Sequence, residues 1–213
     1  MEEGRKTGAD WEWWVLFPND KSFCARVQAK KLKNDKDNYA GIAYTTNGML
    51  QIERLLEDSN KNDFASLYAF YSSESSKYTL CGGRKGNEGV FITDAEHLKN
   101  EILDNPRAKY LAKDVLKYSN PISCLFCCPM TERLSYEGLK EHLRNYFPTL
   151  YQRRVKENSN DNNPIGFIKT PNRIKDFMKS EIEYNWEAQY ERNFENVNAI
   201  LVFDLRNEDK NGR

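Results

Sequence analysis

The chain has 213 residues, 39% hydrophobic and 30% charged, with 32 basic residues against 32 acidic. That length suffices for one domain with its own core, and the balanced charge excludes a globally basic nucleic-acid binder while leaving a local basic patch open. No apolar run reaches the roughly 18 to 20 residues that span a bilayer, the opening MEEGRKTG holds no hydrophobic leader, and five cysteines, an odd count, predict free thiols in a reducing cytoplasm.

Residues 11–17, WEWWVLF, are rich in strand-favouring aromatics and stop at the turn signal PND. Residues 22–32, SFCARVQAKKL, resume a strand pattern, so the two runs predict a β-hairpin. The polar KNDKDNYAG that follows reads as a loop. Residues 48–58, GMLQIERLLED, predict a helix, with Met49, Ile52 and Leu56 at helical spacing and Gln51 and Leu55 on an adjoining stripe. NKND ends it, and FASLYAFYSS at 64–73 predicts the third strand. Residues 74–88 read as loop, GVFIT as a short strand, and DAEHLKNEIL as a helix capped by Asp94.

The second half predicts helices at PRAKYLAKDVLKYS, SYEGLKEHLRNYF and NRIKDFMKSEIEYNWEAQYERNF. KENSNDNNPIG at 156–166 reads as a loop and NAILVFDL at 198–205 as a late strand that pairs with the sheet or extends its edge. The expectation is a mixed α/β fold around one sheet, in one domain over 1–205. Its core spans 3–103, with a helical elaboration over 104–197, the late strand at 198–205 and a disordered tail from 206 to 213.

Side chains alternate across a strand. Asp10 and Glu12 therefore share a face with Trp14, while Trp11, Trp13, Val15 and Phe17 take the other, which reads as core. On the next strand Gln28 and Lys30 share a face with Arg26 and Cys24. A register that sets polar against polar gathers Asp10, Glu12, Gln28 and Lys30 on one patch. Such a patch suits phosphodiester hydrolysis. Mg²⁺ rests on one or two carboxylates and water, an amide oxygen adds a neutral ligand, and a lysine orients or deprotonates water or stabilises developing charge. The same residues are also ordinary exposed cross-strand pairs, and spacing alone favours that structural reading over the catalytic one.

The stretch TGADWEWW…RVQAKKL resembles the core of the PD-(D/E)xK nuclease superfamily, the restriction-endonuclease-like fold, in its Mrr-like variant with Gln in the acid position. It also looks like an uncharacterised prokaryotic family with a GADWEWW…QAK signature. The resemblance covers residues 3–72 and grows faint to 103. It implies a central sheet flanked by helices, Asp10 as the metal-binding aspartate, Gln28 in the acid position and Lys30 as the catalytic lysine. Gln51 on the following helix would border the site. It implies Mg²⁺ or Mn²⁺ as cofactor and nucleic acid, DNA first, as partner. Lys31, Lys33 and Lys36 would then meet backbone phosphates. The family's opening helix often carries a metal-binding glutamate. Here nine residues precede Asp10, so Glu2 or Glu3 would take that part, or the chain starts late, the helix is lost, or a homodimer or partner subunit completes the site. With Gln28 uncharged, the metal would rest on Asp10 with Glu12 or Glu3. The neutral Gln28 leaves a second reading open, a nuclease-fold protein that no longer cleaves and acts as a binding or adaptor module.

Cys124-x-x-Cys127 has the spacing of half a zinc site, yet the chain offers no second CxxC and no HxxxH. Buried thiols are the expectation there, and zinc is not. CGGRKG at 81–86 lacks the phosphate-loop pattern.

Overall fold

The computed structural model describes residues 7–32, 37–39, 41–72, 89–105, 107–127, 135–149, 164–179 and 197–206. The expected hairpin forms from β1, Trp11–Leu16, and β2, Lys21–Lys31. Asn19 and Asp20 turn the chain with φ of 61° and 58°, a region that Asn and Asp tolerate better than other side chains.

A second turn comes from Asn47-Gly48, with φ of 53° and 78°. It closes a minute hairpin of β3, Thr45–Thr46, and β4, Met49–Leu50. Asn-Gly is the preferred pair for such a two-residue turn, so Met49 is strand rather than the first turn of a helix. Helix α1 then runs Gln51–Asn62. Glu53 Oε2 accepts from Leu50 N–H at 3.1 Å at its start, half of a capping box. The helix runs beyond residue 58 and ends within NKND, as expected, at Asp63, whose φ of 61° places it in the left-handed region. Its buried residues are Ile52, Leu55 and Ser59, while Leu56 is only half-buried, so the inner stripe is shifted from the one expected.

Strand β5 is Ala65–Tyr71 and β6 is Val90–Asp94. Asp94 Oδ1 accepts from His97 N–H at 2.9 Å and caps α2, Ala95–Leu98, which continues into a π turn at Lys99–Leu103. Among the described residues of the helix expected from 106 to 119, only Ala112–Leu116 are helical, as α3. Tyr39 N–H donates to Tyr110 O, Ala112 N–H donates to Asp37 O and Asn38 bridges Leu111, which holds residues 110–111 extended. The remaining elements are β7, Asn120–Pro121; α4, Cys124–Cys127; α5, Tyr136–Tyr146; β8, Phe167–Lys169; α6, Asn172–Lys179; and β9, Ala199–Asp204. The rest of the helix expected to 194, the loop at 156–163, CGGRKG and residues 207–213 lie outside the described residues. Arg206, the first residue of the expected tail, pairs with Asp204 at 2.6 Å.

The main sheet has the order β7-β6-β5-β2-β1-β9, with β8 paired to the start of β2. β2 and β5 are parallel, joined through α1, and the late strand β9 lies parallel to β1 at the edge, as expected. Both faces of the sheet are covered. Trp14, Leu16, Cys24, Tyr68 and Phe70 pack under Ile52 and Leu55 of α1 and Leu98 and Ile102 beyond it. Trp13, Val15, Ala25, Val27 and Leu67 pack under Leu139 and Leu143 of α5. The face expected to be a polar patch is thus core along most of its length. A parallel connection must cross over the sheet, and here its helix lands on that face. The result is a mixed α/β protein with a central mixed sheet flanked by helices, and among the described residues no helix is long and apolar enough to cross a membrane.

Candidate active site

The hairpin register pairs Trp11 with Val27 and Glu12 with Arg26, which sets Asp10 beside Gln28 where β1 begins. The backbone of Asp10 is held on both sides. Its N–H donates to Val27 O at 2.9 Å, and its carbonyl accepts from Asn198 N–H at 2.8 Å. Ahead of it, Gly8 has φ of +73°, and a Cβ there would lie 2.5 Å from Gln51 O and 2.8 Å from Leu55 N. The small residue of the TGAD stretch therefore lets the first turn of α1 sit directly against the start of β1.

That close approach brings Gln51 into the site. Lys30 Nζ donates to Gln51 Oε1 at 2.5 Å. Gln51 Nε2 donates to Gln28 Oε1, and Gln28 Nε2 donates to Asp10 Oδ2. Asp10 Oδ2 also accepts from Ala29 N–H at 2.9 Å, and Gln28 Nε2 reaches Ala29 O at 3.0 Å. Four side chains from three elements form one hydrogen-bonded chain. Asp10, Gln28 and Lys30 come together as expected, and Gln51, expected only at the border, joins the two ends.

Burial raises the Asp10 carboxyl above its usual range, against the lowering effects of the Ala29 N–H, the Lys30 charge and Gln28. Burial also lowers Lys30 to about 8, with the Asp10 charge opposing it. The two groups are drawn toward each other in basicity, a common property of reactive sites. Two tyrosines that the sequence reading passed over border this pair. Tyr68, the neighbour of Gln28 across the parallel pairing, is fully buried, and its hydroxyl has no hydrogen-bond partner among the described residues. Burial raises it first, and the Asp10 charge adds to that. Tyr71, 36% exposed, is raised by the same two causes. Tyr68 shares its face with Phe70, and only the β2–β5 register places it beside Gln28, while Tyr71, opposite Lys31, lies on the other face of the sheet.

Glu12 does not serve this site. It is fully buried. Its carboxylate takes Trp14 Nε1 at 2.6 Å, Arg173 Nη2 at 2.8 Å and Arg26 Nη2 at 3.2 Å. Arg26 also lies 3.5 Å from Asp58 and stacks over Phe64 at 4.9 Å. Glu12 shares the expected face with Asp10, but the covering helices turn it into the centre of a buried ion cluster. Lys31 is exposed at the end of β2, one residue from Lys30 and so on the opposite face. Glu3, Lys33 and Lys36 lie outside the described residues.

Among the described residues no group of three or more His, Cys, Asp or Glu is placed to hold a metal ion. Cys124 is buried in α4, and the Cys127 side chain and Cys128 lie outside the described residues. At the Asp10 site the donor set fits a largely hydrated Mg²⁺ on one carboxylate, and the Asp10 charge acts on the buried Tyr68 hydroxyl, which has no partner among the described residues. The Gln28 oxygen, expected beside Asp10, is instead taken by Gln51.

Fold and site together define a mixed α/β protein with a polar centre sunk between a β-hairpin and the first turn of a crossover helix. Residues 1–209 match the model of a family described as a family of unknown function, DUF6615, and the chain belongs to that family. No curated protein and no solved structure matches the chain.

Proposed function

We propose that this protein is a metal-dependent phosphodiesterase, a deoxyribonuclease of PD-(D/E)xK type acting in defence or mobile-element conflict. One observation carries the reading. Asp10, Gln28 and Lys30 converge at one end of the hairpin, where burial brings Lys30 down to about 8. The order of hairpin, crossover helix and parallel strand also agrees with the resemblance in TGADWEWW…RVQAKKL.

In this reading Asp10 holds Mg²⁺ or Mn²⁺, which polarises the scissile phosphoryl group and acidifies water when bound. Lys30 orients the attacking water and exchanges a proton with it near neutral pH, because its basicity has fallen into that range. Before the metal binds, Gln28 holds the Asp10 carboxylate in place, and the Tyr68 hydroxyl supplies a buried donor to the water layer. Lys33 and Lys36 meet backbone phosphates without reading sequence, while Lys31, on the opposite face from Lys30, does not reach the same phosphates. A cytoplasmic setting belongs to the same reading, supported by the buried free thiols of Cys24 and Cys124.

The test is incubation with plasmid and with RNA in Mg²⁺, Mn²⁺ or EDTA, beside Asp10→Ala and Lys30→Ala. Cleavage by wild type that EDTA and either substitution abolish is the expected result. Cleavage that survives both substitutions removes the site assignment. A binding or adaptor role is the second reading, and the Gln28 amide favours it, since its nitrogen rather than its oxygen meets Asp10. Nucleic-acid binding without cleavage under every metal would select it.

A further inference from the structure

The orientation of the Gln28 amide is settled by its neighbours. Its nitrogen lies against Asp10 Oδ2 and Ala29 O. A carboxylate and a carbonyl only accept, so the group between them must donate. Gln28 Oε1 therefore faces Gln51 Nε2, and Gln51 Oε1 faces the Lys30 ammonium. Donation runs one way, from Lys30 through Gln51 and Gln28 to Asp10. Gln28 is 3% exposed, so bulk water does not replace a partner that turns away.

A divalent cation on Asp10 reverses the demand at that end. It attracts an oxygen and repels an N–H group. A half-turn of the Gln28 amide brings Oε1 beside Asp10 and Nε2 against Gln51. Gln51 would then meet donor with donor, so its amide must turn as well and accept through Oε1. The Gln51 nitrogen now faces the Lys30 ammonium, and that contact is lost. The Gln51 backbone stays fixed, pressed by Gly8, so only the side chain moves. We propose that Gln51 is a positioning residue whose amide turns together with that of Gln28 when a divalent cation binds Asp10, releasing Lys30 from Gln51 toward the substrate phosphate. The inference rests on the metal-dependent reading above.

The bond count gives a sign that a merely structural role does not share. Gln51→Met removes two hydrogen bonds from the cation-free state, those to Lys30 and Gln28. It removes only one, from Gln28, in the cation-bound state. The difference is one net hydrogen bond, about 1 kcal/mol, so Mg²⁺ should bind roughly fivefold more tightly to the variant.

The experiment is Mg²⁺ titration of wild type and Gln51→Met by calorimetry, with ¹H–¹⁵N spectra of the side-chain amides of wild type. Support consists of tighter binding by the variant and movement of the Gln28 and Gln51 amide signals with one shared midpoint. Binding with Gln28 moving while Gln51 stays still, or unchanged or weaker binding by the variant, overturns the coupled turn and leaves the metal reading intact. No Mg²⁺ or Mn²⁺ binding by wild type at millimolar concentration overturns both. If Gln51→Met does not fold, the wild-type spectra decide alone.

Discussion

Glu12→Gln tests whether the second carboxylate of the GADWEWW stretch belongs to the fold or to the metal. The glutamine keeps the shape and still accepts from Trp14 Nε1, but it takes the negative charge from between Arg26 and Arg173. The Arg26 and Glu12 side chains are 9% and 0% exposed. Removing one member of a buried pair costs about 3 to 5 kcal/mol, because the other charge is left without compensation. Here the low end applies. Arg26 keeps Asp58 at 3.5 Å and the Phe64 ring at 4.9 Å, and Arg173, with 28% side-chain exposure, regains water. The expected loss is about 3 kcal/mol, or roughly 6 to 12 °C in Tm for a chain of this size. Urea unfolding followed by tryptophan fluorescence reads it, with an unchanged m-value showing that the native state is intact. Mg²⁺ affinity should change by less than about fivefold, the equivalent of one hydrogen bond, because Trp14, Arg26 and Arg173 hold the Glu12 carboxylate away from Asp10. Unchanged stability with lost Mg²⁺ binding would refute the reasoning and make Glu12 a ligand.

Lys30 carries a pH signature. Its pKa falls from 10.5 unfolded to about 8 folded, so between those values the unfolded chain binds more protons and stability rises with pH. Below about 8 the full cost is present, on the order of 3 kcal/mol, and Lys30→Met should flatten that rise in urea midpoints measured from pH 7 to 10.5. Gly8→Ala places a Cβ 2.5 Å from Gln51 O at φ +73°; a loss of about 2 kcal/mol and displacement of Gln51 are expected, and a melting temperature equal to wild type would contradict the packing. Cys24 is fully buried and its thiol pushed well up by desolvation, with the Glu12 and Asp63 charges adding. Ellman's reagent should therefore leave it unlabelled in the native protein and label it in urea, as peptide mass spectrometry would show.

Much of the local structure was legible because it depends on short-range chemistry. Aromatic and β-branched runs ended by PND define the hairpin, Asp94 caps its helix, and NAILVFDL has the length and composition of a strand. The Asn47-Gly48 turn was equally local, yet the apolar spacing of Met49 outweighed it in the sequence reading. The extended stretch before α3 was not legible, since residues far away in the chain, Asp37 to Tyr39, hold it.

For the site, alternation alone put Asp10, Gln28 and Lys30 on one face, and the register bore that out. What covers that face was decided by tertiary structure. The same period of two that groups Asp10 with Glu12 says nothing about burial. Where the crossover helix lands makes Glu12 the centre of an ion cluster and leaves Asp10, the residue before β1, beside the helix start. Gln51 reaches Lys30 because Gly8 has no side chain to hold α1 away, and Tyr68 comes beside Gln28 through a parallel pairing that periodicity does not encode. The sequence by itself determined which polar residues stand near one another along the chain and on which side of a strand they lie. Packing between distant segments determined which of them meet, because burial and hydrogen bonding are properties of neighbours in space.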